Sequence, residues 1–433
     1  MALTNATACS NFNINSSSGK SGLVGWVLEP SCRGTLSLIS TCSTTIFLCT
    51  WVIIHPRVDQ RERFATLHKF ALLFKTILAP ELIAVEGLQE WAQCRRMEAD
   101  CKKLTDGQLG RIHTFYISML ALRYRTPCGV KVIWPNQYTW LLQHGLASWS
   151  DHPRWGLSVE DIRDKSKTDS IAKLMALCQV SWFVAQCILR AAGSLPLSQL
   201  ESMTLGYIPL FAVTYFFWWD KPKDIRSPTI VELPDMSLDQ MRAFESMAVS
   251  NKFDKEGMED QVSYWSIWYL TPRVFEKEAA EQSIANAKAA IHEHAKKSST
   301  PEDLQPTIRK ETIVAHWDPD LYRSKLWPLI CLFGVSFGAL HLVCWHDAFP
   351  STVEMWLWRA SAFVSIFSML IFMHFEKVVL RWGGLLTILS LSSPALYVTS
   401  RIVMMGEVFA ALRAEDPAIY DTYGFSDFWM PLL

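Results

Sequence analysis

Charge is what this sequence has least of. Asp, Glu, Lys and Arg make up 19% of its 433 residues, against about a quarter in an ordinary soluble domain. Neither sign prevails, because 41 Lys and Arg stand against 42 Asp and Glu. That balance leaves no broad field for nucleic acid, which is excluded as a partner. Cysteine is sparse as well: 11 in the whole chain, an odd number, do not make a small disulfide scaffold.

Several catalytic signatures are also missing. The 11 histidines are scattered, so the His clusters that hold di-iron centres cannot form from neighbouring turns. No DDxxD or NDxxDxxxD run offers paired aspartates to bridge Mg²⁺ to a diphosphate. A DxDD acid motif is absent, and the DxD in Trp317–Tyr322 (WDPDLY) reads as a polar loop. The P-loop, GxGxxG and GxSxG patterns are absent too. Neither a metal nor another cofactor is expected.

Long apolar runs are what the sequence has instead. A membrane helix needs about 20 mostly apolar residues, since its backbone polar groups must bond within the helix. Six stretches qualify: Gly34–Ile54, Ile171–Ala192, Met203–Trp219, Leu326–Trp345, Val353–Met373 and Val378–Met405. Two weaker segments lie between the first and second. Phe70–Trp91 carries Lys75, Glu81, Glu86 and Glu90, which suits a segment partly buried against other helices. Gly129–Trp149 is rich in Trp and broken by Pro135, which suits the membrane interface. The expected fold is all-α: a polytopic integral membrane helical bundle of six spans, one or two further interfacial or re-entrant helices, and a polar cytosolic insertion.

Basic residues set the orientation. Only Lys20 and Arg33 precede the first span, whereas Arg57, Arg61, Arg63 and Lys69 follow it, so the N-terminus is expected in the lumen. Sequons at Asn5 and Asn15 agree and predict a glycoprotein, and Cys9 and Cys32 share that side. Residues 1–33 are polar and no small-residue cleavage site follows, so the first span reads as a retained anchor and not a signal peptide. The predicted organisation is a lumenal N-terminus (1–33), an N-terminal membrane region (34–219), a cytosolic insertion (220–325), a three-span region (326–413) and a tail (414–433). Within the insertion, Glu276–Lys297 is patterned for a surface helix. Its His292 and His294, two apart, point away from each other and do not make a metal site.

Ionisable groups inside apolar helices are costly, so each is a functional candidate. Glu81 follows Pro80, which removes a helix hydrogen bond and can bend the segment toward a cavity. A pair with Lys75 or a helix-end carboxylate is the structural alternative. Asp220 follows the rings of Tyr215, Phe216, Phe217, Trp218 and Trp219, where an aromatic belt and a cation-stabilising wall are both consistent readings. Glu201 fits a helix start. Farther on, His341 and Trp345 lie four apart, as do Met355 and Arg359, and Tyr397 and Arg401. The two arginines suit interhelical pairs or lipid phosphate, and His341 suits a satisfied core position.

The ordered segments RGTLSLISTCSTTIFLCTW, LAPELIAVEGLQEW, LPLSQLESMTLGYIPLFAVTYFFWWDKPKD and LYVTSRIVMMGEVFAALR resemble a large fungal family of multi-span membrane proteins. Some members of that family are membrane terpene cyclases of the ascofuranone, ascochlorin and macrophorin type. The resemblance extends over residues 23–413. It implies cyclisation of a farnesyl chain on a phenol or quinone head, begun by a carboxylic acid and carried through a carbocation. A lipophilic prenylated aromatic would be the substrate, membrane lipid the surroundings, and a prenyltransferase and an oxygenase the pathway neighbours, in the endoplasmic reticulum. On this resemblance Glu81 and Asp220 are the candidate acids. Tyr215, Trp218, Trp219, His341, Trp345, Trp358, Arg359 and Arg401 are the candidate substrate contacts. A transporter-like or scaffold protein is the alternative.

Overall fold

The computed structural model describes residues 22–247, apart from 29–32, 57, 59–61, 128, 167–169 and 226, together with 327–377 and 385–421. In chain order the helices and strands begin with α1 (Thr35–Ile53), α2 (Glu62–Leu78), α3 (Pro80–Cys101) and α4 (Arg111–Ser118). There follow β1 (Leu122–Thr126), β2 (Gly129–Val132), α5 (Pro135–Gln143), α6 (Val159–Lys165), α7 (Ser170–Ala192) and α8 (Gln199–Phe217). The remainder are β3 (Thr229–Val231), α9 (Leu238–Ser246), α10 (Trp327–His341), α11 (Thr352–Lys377) and α12 (Leu385–Ala411). Asn5, Cys9, Asn15, Cys32, the WDPDLY loop and the expected helix Glu276–Lys297 with its His pair lie outside the described residues.

Among the described residues, five helices are long and apolar enough to cross a membrane: Thr35–Ile53, Lys173–Ala192, Gln199–Phe217, Pro328–His346 and Thr352–Ile371. Each matches an expected span to within a few residues. The sixth expectation corresponds to α12, with residues 378–384 outside the described set. Local chemistry sets the ends. At the start of α8, Ser198 and Glu201 form a reciprocal capping box, and Glu201 also receives Arg33 at 2.5 Å. Small residues let helices close: a Cβ on Gly338 of α10 would lie 2.7 Å from Ile366 of α11.

The segment Phe70–Trp91 is not one helix. It breaks at Ala79, where Pro80 opens α3 as its first residue. Lys75 pairs with Glu86, so α2 and α3 run back alongside each other as a hairpin. The open end of this hairpin lies beside the C-terminal ends of α1 and α8. There Lys69 sits 4.1 Å from the Trp51 ring centroid and pairs with Asp224 at 2.8 Å, while Lys221 pairs with Glu90 at 2.5 Å. The closed tip reaches the middle of the bundle.

Two hydrophobic cores result. One joins α1, the hairpin, α7, α8 and α10–α12. The other, built from residues 97–162 and 225–247, surrounds a three-stranded sheet of order β2-β1-β3. In it β1 pairs antiparallel with β2 and parallel with β3. This corrects the sequence reading in two respects. The fold is mostly helical and not all-α. Gly129–Trp149 is no interfacial belt, since Trp134, Trp140 and Trp149 are buried in or beside this second core. The start of the expected insertion is also part of it, as Ile225, Val231 and Phe244 share the core with Leu122 and Trp140.

Candidate functional site

The break at Ala79 creates a chemical problem in the middle of the bundle. The last carbonyls of α2 lose the N–H partners that a continuous helix would supply, and an unpaired buried carbonyl is costly. Side chains from other helices solve it. Tyr207 of α8 donates its hydroxyl to the Ile77 carbonyl at 2.5 Å, and Arg401 of α12 donates Nε–H to the Leu78 carbonyl at 2.9 Å. A cation at the C-terminal end of α2 also complements that helix's dipole, and Glu81, in the first turn of α3, complements the other. Two helix ends of opposite polarity therefore meet at the tip.

Glu81 is 1% exposed and is held on one side only. Tyr397, one turn before Arg401 on α12, donates its hydroxyl to Glu81 Oε1 at 2.5 Å. Glu81 Oε2 is buried and meets no hydrogen-bond partner. The alternative pairing with Lys75 is not made, because Lys75 is engaged by Glu86. Two other buried atoms nearby lack partners: Arg401 Nη2 and His341 Nε2.

Rings line this cluster. The Arg401 guanidinium lies 3.7 Å from the Phe337 centroid, and Tyr207 meets Phe337 edge-on at 4.7 Å. Phe337 continues to His341 at 4.4 Å, His341 to Trp358 at 5.3 Å, and Trp358 to Phe349 at 6.1 Å. The Trp358 indole donates to the His341 carbonyl at 3.1 Å, which fixes that ring against α10. A carboxyl group, a guanidinium, an imidazole and a train of aromatic faces thus share one buried region. Such a set can deliver or accept a proton beside apolar matter and face a positive charge with π-electrons.

The other expected site residues sit elsewhere. Asp220 lies past the end of α8, roughly 20 Å along the chain axis from Tyr207 at 1.5 Å per residue. Its side chain is 40% exposed and faces Arg111 at 3.6 Å. It is therefore no acid in a dry pocket. Trp219 is 67% exposed and stands edge-on to Tyr215, which also faces Lys173. Trp218 is buried between Lys221 and His55. Burial, and then the Lys221 ammonium, hold His55 well below the usual histidine range, so it stays neutral. Trp345 parts from His341 because the helix tightens to a 3₁₀ turn over Leu342–His346. There it stacks under Arg359 at 4.3 Å and receives an Arg359 Nη2 hydrogen bond on its carbonyl at 2.5 Å. Of the expected residues, Glu81, His341, Trp358 and Arg401 come together. Tyr207, Phe337 and Tyr397 complete the site. The Tyr397–Arg401 spacing was the sequence signal for one of them; Tyr207 and Phe337 look like ordinary core residues.

A family model described as a family of unknown function (DUF8562) matches residues 8–113, 153–301 and 317–395. The chain belongs to that family. Glu81, Tyr207, Phe337, His341 and Trp358 fall within the DUF8562 match, and Tyr397 and Arg401 lie just beyond its third segment. Residues 114–152, which hold β1, β2 and α5 of the second core, fall between the first two matched segments. No curated protein and no solved structure matches the chain.

Proposed function

We propose that this DUF8562 protein is an integral protein of the endoplasmic reticulum membrane with six spans, α1, α7, α8 and α10–α12. Its N-terminus faces the lumen, and the second core and the polar insertion face the cytosol. The α2–α3 pair is then a re-entrant hairpin entering from the cytosolic side. Irregular backbone at membrane depth is tolerable only when buried in protein, and the bonds from Tyr207 and Arg401 to the hairpin tip meet that condition.

In this reading the protein is a metal-independent terpene cyclase. It acts on a lipophilic aromatic carrying a farnesyl chain, in meroterpenoid secondary metabolism, with an oxygenase and a prenyltransferase as pathway neighbours. Glu81 protonates the terminal epoxide or alkene of the chain: its O–H bond breaks, and a C–H or epoxide O–H bond forms. The chain's π-electrons then close the ring onto the resulting cation. Arg401 stabilises the carboxylate left behind, while the cation develops toward Trp358 and Phe349, away from the guanidinium.

The observation that carries this reading is the buried Oε2 of Glu81, without a hydrogen-bond partner among the described residues, in a core that also holds the rings of Tyr397, Phe337 and Trp358. The resemblance of the ordered segments to a fungal family that includes such cyclases supplies the substrate class. Co-expression with a prenyltransferase and an epoxidising oxygenase, followed by product analysis, tests it. A cyclised isomer that depends on this chain supports the proposal, and accumulation of the open-chain compound refutes it.

The broken hairpin favours one rival, a transporter. Half-helix ends at the midplane bind solutes in many transporters, but there they come in pairs from two repeated halves. Among the described residues only one such hairpin occurs.

A further inference from the structure

The buried imidazole of His341 has a defined tautomer. Its Nδ1 lies 2.6 Å from the Phe337 carbonyl oxygen, one turn earlier on α10. A carbonyl oxygen only accepts, so Nδ1 carries the hydrogen and donates it. In the neutral ring Nε2 is then a lone-pair acceptor. That atom is buried and meets no partner among the described residues, in a residue only 1% exposed. Leaving a buried acceptor unpaired is costly, so the site favours a ligand bringing a proton to that atom.

His341 also occupies the right place for a second role. It shares the Phe337 ring with Arg401 and packs against Trp358. Glu81 and His341 are thus two separate groups of one buried region, one a carboxyl with a free oxygen and the other an imidazole with a free lone pair. A cascade started by a proton must end by losing one, and the chemistry needs an acid and a base that are separate groups.

Resting on the cyclase reading above, we infer that His341 is the base that takes up the proton released when the cascade ends. A C–H or O–H bond of the cyclised cation breaks. Its electron pair remains as a new double bond or as an oxygen lone pair, and the proton forms an N–H bond at Nε2. Return of that proton to the Glu81 carboxylate resets the site. The net reaction is an isomerisation and needs no co-reactant. Trp358 acts as a positioning residue, since its indole N–H holds the His341 carbonyl and so the turn carrying the ring.

The test uses the full-length protein in microsomes with an epoxyfarnesyl phenol, comparing wild type, His341→Gln, His341→Asn and Glu81→Gln. Glu81→Gln should stop substrate consumption. The His341 variants should still consume substrate, but the ratio of the main wild-type isomer to all other cyclised and hydrated products should fall at least tenfold. An unchanged product ratio in both His341 variants overturns the inference and leaves the cyclase reading standing. No conversion by the wild type overturns both. If neither His341 variant assembles, the ¹⁵N spectrum of histidine-labelled wild-type protein decides. An unprotonated Nε2 on His341, its signal identified against a His55→Asn and His113→Asn background, is expected, and a proton on that atom overturns the inference.

Discussion

Tyr397 and Glu81 are joined by a 2.5 Å hydrogen bond from the phenol to Oε1, while the second carboxyl oxygen of Glu81 has no hydrogen-bond partner among the described residues. Glu201, which caps α8, has both oxygens satisfied, by Ser198 and Arg33. The contrast between these two buried glutamates separates a helix cap from a candidate acid. Glu81→Gln keeps the shape and an acceptor for Tyr397 but cannot give up a proton. Turnover of an epoxyfarnesyl phenol should drop by about 10²–10⁴-fold, the usual contribution of a general acid. Protein yield and monodispersity in detergent should stay close to wild type.

Arg401 has a different duty. It closes the C-terminal end of α2 through the Leu78 carbonyl and stacks on Phe337. Arg401→Met removes a buried charge from beside Glu81 and leaves the Leu78 carbonyl only the longer 3.4 Å contact of the Tyr397 hydroxyl. The cost should be about 1–3 kcal/mol, as for a buried acceptor that loses its donor. Arg401→Lys should recover only part, because a compact ammonium does not reproduce the planar stack on Phe337. Thermal unfolding of the purified protein in detergent checks both.

Tyr207→Phe separates capping from catalysis. It deletes only the hydroxyl that satisfies the Ile77 carbonyl and leaves the edge contact with Phe337. The expected loss of stability is about 1–3 kcal/mol for one orphaned buried acceptor. A thermal shift without a change in product distribution would match the capping role.

The far end of the bundle has its own pH signature. Glu415, bridged to Val24 through the backbone, has both carboxyl oxygens buried without partners. Burial, and then the charges of Asp347, Glu201 and Asp416, raise it from an ordinary 4.5 to about 8. The folded chain therefore holds this proton more tightly than the unfolded chain. The resulting stabilisation is complete below pH 4.5, declines as pH rises, and is gone above about pH 8. Glu415→Gln should flatten the stability profile over that interval and be the more stable protein at pH 8.5. Thermal unfolding across the pH range measures it.

Asp220→Asn should do little. The side chain is 40% exposed and its ion pair with Arg111 is long at 3.6 Å. Exposed pairs of this kind contribute about 0–1 kcal/mol, and turnover should remain near wild type.

The membrane helices were legible because lipid imposes a length and a composition that a single sequence displays. Glu81 was legible for a related reason, as a carboxyl group next to a proline in an apolar run. Its environment was not. Whether Glu81 meets Lys75 or Tyr397 depends on a helix break that brings α12 against α3, and pairings between distant helices leave no periodicity. Asp220 misled because its aromatic neighbours end a helix at the protein surface, with Phe216 and Trp219 exposed, and composition cannot distinguish a belt from a pocket wall. The tryptophans around Trp140 misled in the same way. They fill a separate core that is assembled only when β3 and α9 return to β1 and α5.

The most direct test of the account is conversion of an epoxyfarnesyl phenol in microsomes by wild type, Glu81→Gln and Asp220→Asn, at matched protein levels. The account predicts a cyclised isomer from wild type and Asp220→Asn and unchanged substrate with Glu81→Gln. Full conversion by Glu81→Gln, or none by wild type, would contradict it.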